Sequence, residues 1–287
     1  MARLRSLTLL FGVVLATIVL YLFVRQLSSD TARQGKPVSP LSIHLVYVSP
    51  LSIHLVIVMF RSTSNESKVL LREQEHATVL QRNLNHPLIS RIHVLTADRG
   101  GMEEYLRGLD LQNRHKLLVV ENKQWDTYRG IFEYISDNLT DKDVMYANGD
   151  IYLGNGFEKV DANVLSKRNI FYALSRLGKQ EEKCKMQDFC GGDFQYLGAH
   201  DAFLFHLKEA LPEQALKELE YKCWDYGAEN VLIGVFQQLL HYCTLNPCKI
   251  LESYHLHCSG AHHGNRVRIN TNNSFNGLSP FTTKLTC

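Results

Sequence analysis

The run V-M-Y-A-N-G-D-I-Y-L over 144–153 is a stretch of β-formers interrupted by Asn148, Gly149 and Asp150. In an open α/β sheet, ligands bind beyond the carboxyl ends of the strands. Asp150 would stand at such an end, beside a glycine that lets a ligand come close, which suits a divalent cation holding a diphosphate. The same three residues are common turn formers, and a tight turn also accounts for them. Asn148 can offer a cation an amide oxygen but no charge. His255 and His257 are two apart, so on a strand they point to one face. Arg61 and Arg176 follow apolar runs and stand at strand exits, where a guanidinium can face a phosphate or simply be solvated. Asp201 precedes A-F-L-F at the mouth of a buried strand, and Glu229 opens an amphipathic helix, where a first-turn acid favours the helix dipole.

The elements that would position these residues alternate along the chain. Short β-branched runs at 53–60, 89–96, 116–120, 144–153 and 170–175 are separated by segments with helical spacing, the signature of crossover units and a mainly parallel sheet. The clearest helix is 127–139, where Tyr128, Ile131, Phe132, Ile135 and Leu139 share a face. Helices are also expected over 229–242 and over 211–222, the latter with Pro212 in its first turn.

The remaining composition sets the compartment. With 287 residues and 45% hydrophobic content the chain can bury one substantial core, which excludes disorder and small disulfide scaffolds. A net charge of +2 with no basic tract gives no argument for nucleic acid. Residues 7–24 carry no charge and are flanked by Arg3, Arg5 and Arg25, which reads as a transmembrane signal anchor with the long end lumenal. The layout is then a cytoplasmic tail (1–6), the span (7–24), a stem (25–50), a lumenal domain (51–260) and a C-terminal tail (261–287). S-P-L-S-I-H-L-V occurs at 39–46 and again at 49–56, and only the second copy leads straight on as a first strand. Asn65, Asn138 and Asn272 head glycosylation tripeptides. All seven cysteines lie in the second half, and in an oxidising lumen they allow three disulfides and one thiol. Zinc is disfavoured because no pair has C-x2-C spacing.

Several pieces, in order, resemble a glycosyltransferase of the GT-A fold, in the group where N-x-D-I stands in for the metal-binding D-x-D. They are D-T-Y-R-G-I-F-E-Y from Asp126, Y-A-N-G-D-I-Y from Tyr146, I-F-Y-A-L-S-R from Ile170, H-D-A-F-L-F from His200, G-A-E-N-V-L-I from Gly227, L-N-P-C from Leu245 and Y-H-L-H-C-S from Tyr254. The resemblance covers about 53–259 and implies a GT-A-like, Rossmann-like sheet with helices on both faces. It also implies a nucleotide-sugar donor, a glycan, protein or lipid acceptor, and a divalent cation, Mn2+ ahead of Mg2+.

By that resemblance Asp150 is the metal ligand, with Asn148 secondary and His257 returning from the C-terminal part as a second protein ligand. Asp201 is the first choice for the base that takes the acceptor proton, and Glu229 an acceptor-side residue. Arg61 and Arg176 face the diphosphate. The tract 184–196 reads as a disulfide-tied loop near the acceptor. Because Asn148 replaces an acid, an inactive lumenal binding protein on the same fold is the alternative to a Golgi or ER type II transferase. A sulfotransferase ranks last, since R-S-T-S-N from Arg61 lacks the glycines and lysine of a phosphate-cradling loop.

Overall fold

The computed structural model describes residues 50–61, 66–178, 184, 187–190, 199–260, 266–269 and 275–287. The expected tail, membrane span and nearly all of the stem lie outside these residues, as do Asn65 and Asn272. Among the described residues no helix is long and apolar enough to cross a membrane.

Among the described residues nine strands and six α-helices follow one another: β1 (Ile53–Val58), α1 (Ser67–Asn85), β2 (Ile89–Thr96), α2 (Arg99–Gly108), β3 (Leu117–Glu121), α3 (Tyr128–Asn138), β4 (Lys142–Ala147), β5 (Ile151–Leu153), α4 (Ala162–Lys167), β6 (Ile170–Leu174), β7 (Ala202–Leu207), α5 (Glu213–Glu218), α6 (Ala228–Gly234), β8 (Cys243–Leu245) and β9 (Ser253–His255). Seven strands form one sheet in the order β3-β2-β1-β4-β7-β6-β8, and β5 pairs with β9 in a separate ribbon. The sheet is mixed. β3, β2, β1 and β4 run parallel, whereas β7 is antiparallel to both β4 and β6. That reversal brings the start of β7 beside the end of β4, with Ala147 opposite Ala202.

Both faces of the sheet are covered. Ile53, Leu55 and Ile57 of β1 pack with Leu80, Leu84 and Val94 on one side, while Val56 packs with Ile131, Phe132 and Tyr146 on the other. The alternation along β1 follows from the two-residue period of a strand. On the second face Phe132 contacts Tyr146, Phe205 and Phe236, so truncating it to Ala would cost about 3–5 kcal/mol.

Three sequence expectations are corrected by packing. The run 144–153 is two strands, because the chain leaves the sheet at Asn148 and resumes against β9. The helix expected over 211–222 is only Glu213–Glu218, with Pro212 as its N-cap. Beyond it, the carbonyls of Leu219 and Tyr221 accept from the amides of Arg129 (2.7 Å) and Tyr128 (2.9 Å), capping α3. The helix expected over 229–242 ends at Gly234 and continues as a π turn, Val235–Leu239. A methyl group on Gly234 would lie 2.7 Å from the amide of Asn276, so the C-terminal chain packs directly on this helix. Residues 275–287 are therefore part of the domain, and Tyr172 also donates to the Leu285 carbonyl at 2.6 Å.

Three disulfides are formed, Cys184–Cys258, Cys190–Cys248 and Cys243–Cys287, leaving Cys223 as the free thiol. Two of them tie Cys184 and Cys190 of the expected loop to the C-terminal part.

Candidate active site

At the carboxyl end of β4 the backbone turns through Asn148 and Gly149 into β5. A methyl group on Gly149 would stand 2.7 Å from the Val58 carbonyl, so only glycine lets the turn press against the end of β1. Asp150 follows, buried at 8% exposure, and its amide carbonyl accepts from Leu256 at 2.9 Å. The β5–β9 pairing thus delivers the His255–His257 segment to Asp150.

Three side chains converge on Asp150 Oδ2: His255 Nε2 at 2.9 Å, His257 Nδ1 at 3.7 Å, and the Arg72 guanidinium. Burial alone would raise the Asp150 pKa, but His255 and Arg72 outweigh it and hold the carboxyl well below its usual range. Arg72 is itself fixed, donating to the Leu256 carbonyl and to Glu75 Oε2, each at 3.1 Å. Glu75, one turn along α1, accepts from the amides of Cys258 and Ser259 at 2.6 Å each and from Ser259 Oγ at 3.0 Å. One carboxylate therefore anchors both the arginine and the segment that carries the histidines.

The donor atoms of Asp150, His255 and His257 lie within 4.8 Å of one another. Two imidazoles and a carboxylate suit Mn2+ and other first-row cations better than Mg2+. Among the described residues the side-chain contacts of Asp150 all use Oδ2, which leaves Oδ1 to a cation even with Arg72 in place. The donor set fits the expected ion.

These residues line one wall of a cleft of about 360 Å³ that also takes in Asn148, Arg176, Asp201, Glu229, Trp125, Trp224 and Tyr226. Asn148 turns its amide group to Asp201, its Nδ2 donating to Oδ1 at 3.1 Å. Arg176 Nη1 donates to both oxygens of Asp201 at 3.0 Å, and its guanidinium stacks 4.3 Å from the Phe189 ring. Asp201 is thus charge-paired in place. Glu229 is different. Burial, reinforced by the nearby Asp201 charge, pushes its carboxyl up to about 7. Arg61 stands outside the cleft lining, its guanidinium 5.9 Å from the Tyr105 ring. Tyr128 is both core and cleft wall.

Arg72 and Glu75 carry no sequence signal as site residues, because R-E-Q-E-H reads as an ordinary charged helix face. His255 was the companion of His257 in the sequence, and the structure places it closer to Asp150.

No family model matches the chain, and no curated protein does. Among solved structures, one of GalNAc-T7 with UDP, GalNAc and Mn2+ is similar at 11% identity and a TM-score of 0.40, over 72% of this chain and 43% of that one. This chain thus spans less than half of that protein. A 4-diphosphocytidyl-2C-methyl-D-erythritol synthase from Anaerococcus prevotii is similar at 12% identity and a TM-score of 0.37, over 68% of this chain and 87% of that one. The inositol-1-phosphate CTP transferase from T. maritima follows at 14% identity and a TM-score of 0.32, over 63% and 78%.

Proposed function

We propose that the protein is a metal-assisted glycosyltransferase that moves a sugar from a nucleoside diphosphate to the hydroxyl of a glycan, protein or lipid. The observation that carries this reading is the Asp150, His255 and His257 cluster, set at the carboxyl end of a central strand in the same cleft as Glu229. Asp150, His255 and His257 would hold a cation there, which would supply positive charge to the departing diphosphate. Arg72, fixed on two sides, adds a permanent charge at the same place. Asn148 and Arg176 hold Asp201 as a rigid, charge-paired wall.

Glu229 takes the role of base in an inverting transfer. Its carboxyl, pushed up to about 7, is about half ionised at neutral pH and basic enough to accept a proton. The acceptor oxygen bonds to the anomeric carbon, the carbon–oxygen bond to the diphosphate breaks with its electron pair leaving on that oxygen, and the acceptor proton passes to Glu229. Asp201, the first choice from sequence, is committed to Arg176 and gives way.

A second reading, a binding protein on the same fold without turnover, is favoured by the Arg72 contact that already neutralises Asp150. Measuring binding and transfer for a panel of nucleotide sugars, with and without Mn2+, separates the two: metal-dependent binding with product supports the enzyme, and binding without product supports the scaffold. Three disulfides support a lumenal site in the Golgi or ER, behind an N-terminal type II anchor. Occupancy of Asn138 by N-glycan in cells would test that orientation.

A further inference from the structure

The far end of the cleft carries Arg266 on its lining, a cation that the transfer step does not use, and Arg268 lies beside it. Arg266 and Arg268 flank Val267 on a short extended segment that pairs with Tyr226, whose amide donates to the Val267 carbonyl at 3.0 Å and whose carbonyl accepts from Ile269 at 3.1 Å. Asp225 reinforces the pairing, accepting from the Val267 amide at 3.2 Å. Residues two apart on an extended segment share a face. Both guanidinium carbons accordingly sit beside one ring, 5.7 and 5.6 Å from the centroid of Tyr226. That ring is 49% exposed. Neither guanidinium makes an ion pair among the described residues.

Next to this pair lies an aromatic shelf. Trp224 contacts Trp125 at 5.9 Å, Trp125 stacks on Phe60 at 6.0 Å, and all three line the cleft with Tyr226, Arg266 and Glu229. Flat rings facing a cleft suit the C–H face of a pyranose. Paired guanidiniums beside them suit a planar or tetrahedral oxyanion, which they can grip by several N–H donors at once. A neutral glycan would leave both cations unanswered, and an acidic peptide would leave the shelf unused.

We propose that Trp224, Tyr226, Arg266 and Arg268 form the acceptor subsite and select a sugar bearing an anionic substituent, a carboxylate or a sulfate. This rests on the transferase reading of the cleft. It places the sugar ring on the shelf, its anion between the two arginines, and a hydroxyl towards Glu229.

The test is acceptor binding by the full-length protein, without donor and with EDTA present. Calorimetric titrations use uronate-containing, sulfated and neutral oligosaccharides of equal length, and an acidic peptide. The acidic saccharides are expected to bind roughly ten-fold tighter than the neutral one, a margin that salt reduces. The double variant Arg266→Gln with Arg268→Gln is expected to erase the margin while keeping neutral binding, and Trp224→Ala to weaken both classes. Which acid binds tighter identifies carboxylate or sulfate. Equal affinity for acidic and neutral saccharides overturns the proposal, as does a margin that survives the double variant or an acidic peptide that competes equally. Nucleotide binding with Mn2+ is measured separately on every variant and reports that the fold is intact. Acidic-saccharide selectivity in a protein that binds no nucleotide would remove the transferase reading and keep the subsite. Nucleotide binding without that selectivity would do the reverse.

Discussion

At the Asp150 end of the cleft, charged groups are cross-linked: Arg72 bonds to Asp150, Glu75 and the Leu256 carbonyl, and Glu75 bonds to the backbone of Cys258 and Ser259. At the Glu229 end, an acid is desolvated rather than paired, and Arg266 and Arg268 rest on an exposed tyrosine. The first arrangement fixes positions, so that the proposed diphosphate would meet charges that need no reorganisation. The second tunes a proton affinity and leaves cations for a ligand. A carboxyl depressed by partners and a carboxyl raised by burial, within one cleft, is the pattern that separates an electrostatic role from an acid–base role.

The sharpest way to break this comparison is at Asp150. Asp150→Asn keeps the shape and removes the charge, so metal-dependent nucleotide binding is expected to fall by roughly 100-fold or more. Folding should hold, since Arg72 keeps Glu75 and the Leu256 carbonyl as partners. Isothermal titration with Mn2+ and nucleotide, alongside thermal unfolding, checks both parts. Unchanged metal-dependent binding would return Asn148, Gly149 and Asp150 to the status of a turn.

At the other end, Glu229→Gln is expected to lower transfer by roughly 10²–10⁴-fold while metal and nucleotide affinity stay within error. The wild-type rate should climb through pH 7 as Glu229 ionises, and the variant should lose that limb. Stability should move the opposite way. The folded protein holds this proton up to about 7, against 4.5 for the unfolded chain, so stability falls as pH rises across that window. Above it Glu229→Gln should gain on the order of 2 kcal/mol over wild type, a figure already reduced for the water that the cleft admits. Denaturant midpoints at pH 5 and pH 8 measure the crossover. A Glu229→Gln variant that still turns over at the wild-type rate would remove the acid–base role from this end.

The two ends were also unequally legible in the sequence. β-branched runs marked most of the sheet, because buried parallel strands are written as continuous apolar residues. Asp150 stood out through N-G-D after an apolar run, and His257 through the H-L-H pattern together with the family resemblance. Arg72 and Glu75 did not, since their function comes from a tertiary approach of α1 to residues 256–259 that no local pattern encodes. Asp201 and Glu229 were both visible as acids, but only the bidentate contact from Arg176 and the burial of Glu229 tell them apart. The antiparallel β7, which brings Asp201 to Asn148, follows from pairing order rather than from composition.

Glu75 sharpens the comparison because it lies behind the metal donors. Glu75→Gln keeps one acceptor oxygen but removes the charge that pins both Arg72 and the backbone of Cys258 and Ser259. Metal affinity is expected to drop roughly ten-fold, with nucleotide binding following it and acceptor binding unaffected. Mn2+ titration followed by relaxation enhancement of water protons measures it. A variant with wild-type affinity would show that His255 and His257 are held by the β5–β9 ribbon alone.

The smallest effect on binding and transfer is expected at Cys223, which lines the cleft. Burial, against the moderating hydrogen bond with Tyr146, pushes its thiol up to about 12. At pH 8 an ordinary thiol is roughly a quarter ionised, whereas Cys223 would be ionised to about one part in ten thousand, so native alkylation should be slowed by roughly a thousand-fold. Mass mapping under non-reducing conditions should find the pairs Cys184–Cys258, Cys190–Cys248 and Cys243–Cys287, with Cys223 labelled only after unfolding. Cys223→Ser keeps an acceptor for the Tyr146 hydroxyl and should leave metal affinity unchanged. Rapid native labelling would mean that the cleft floor is wetter than its burial implies, and the desolvation that raises Glu229 beside it would lose its basis.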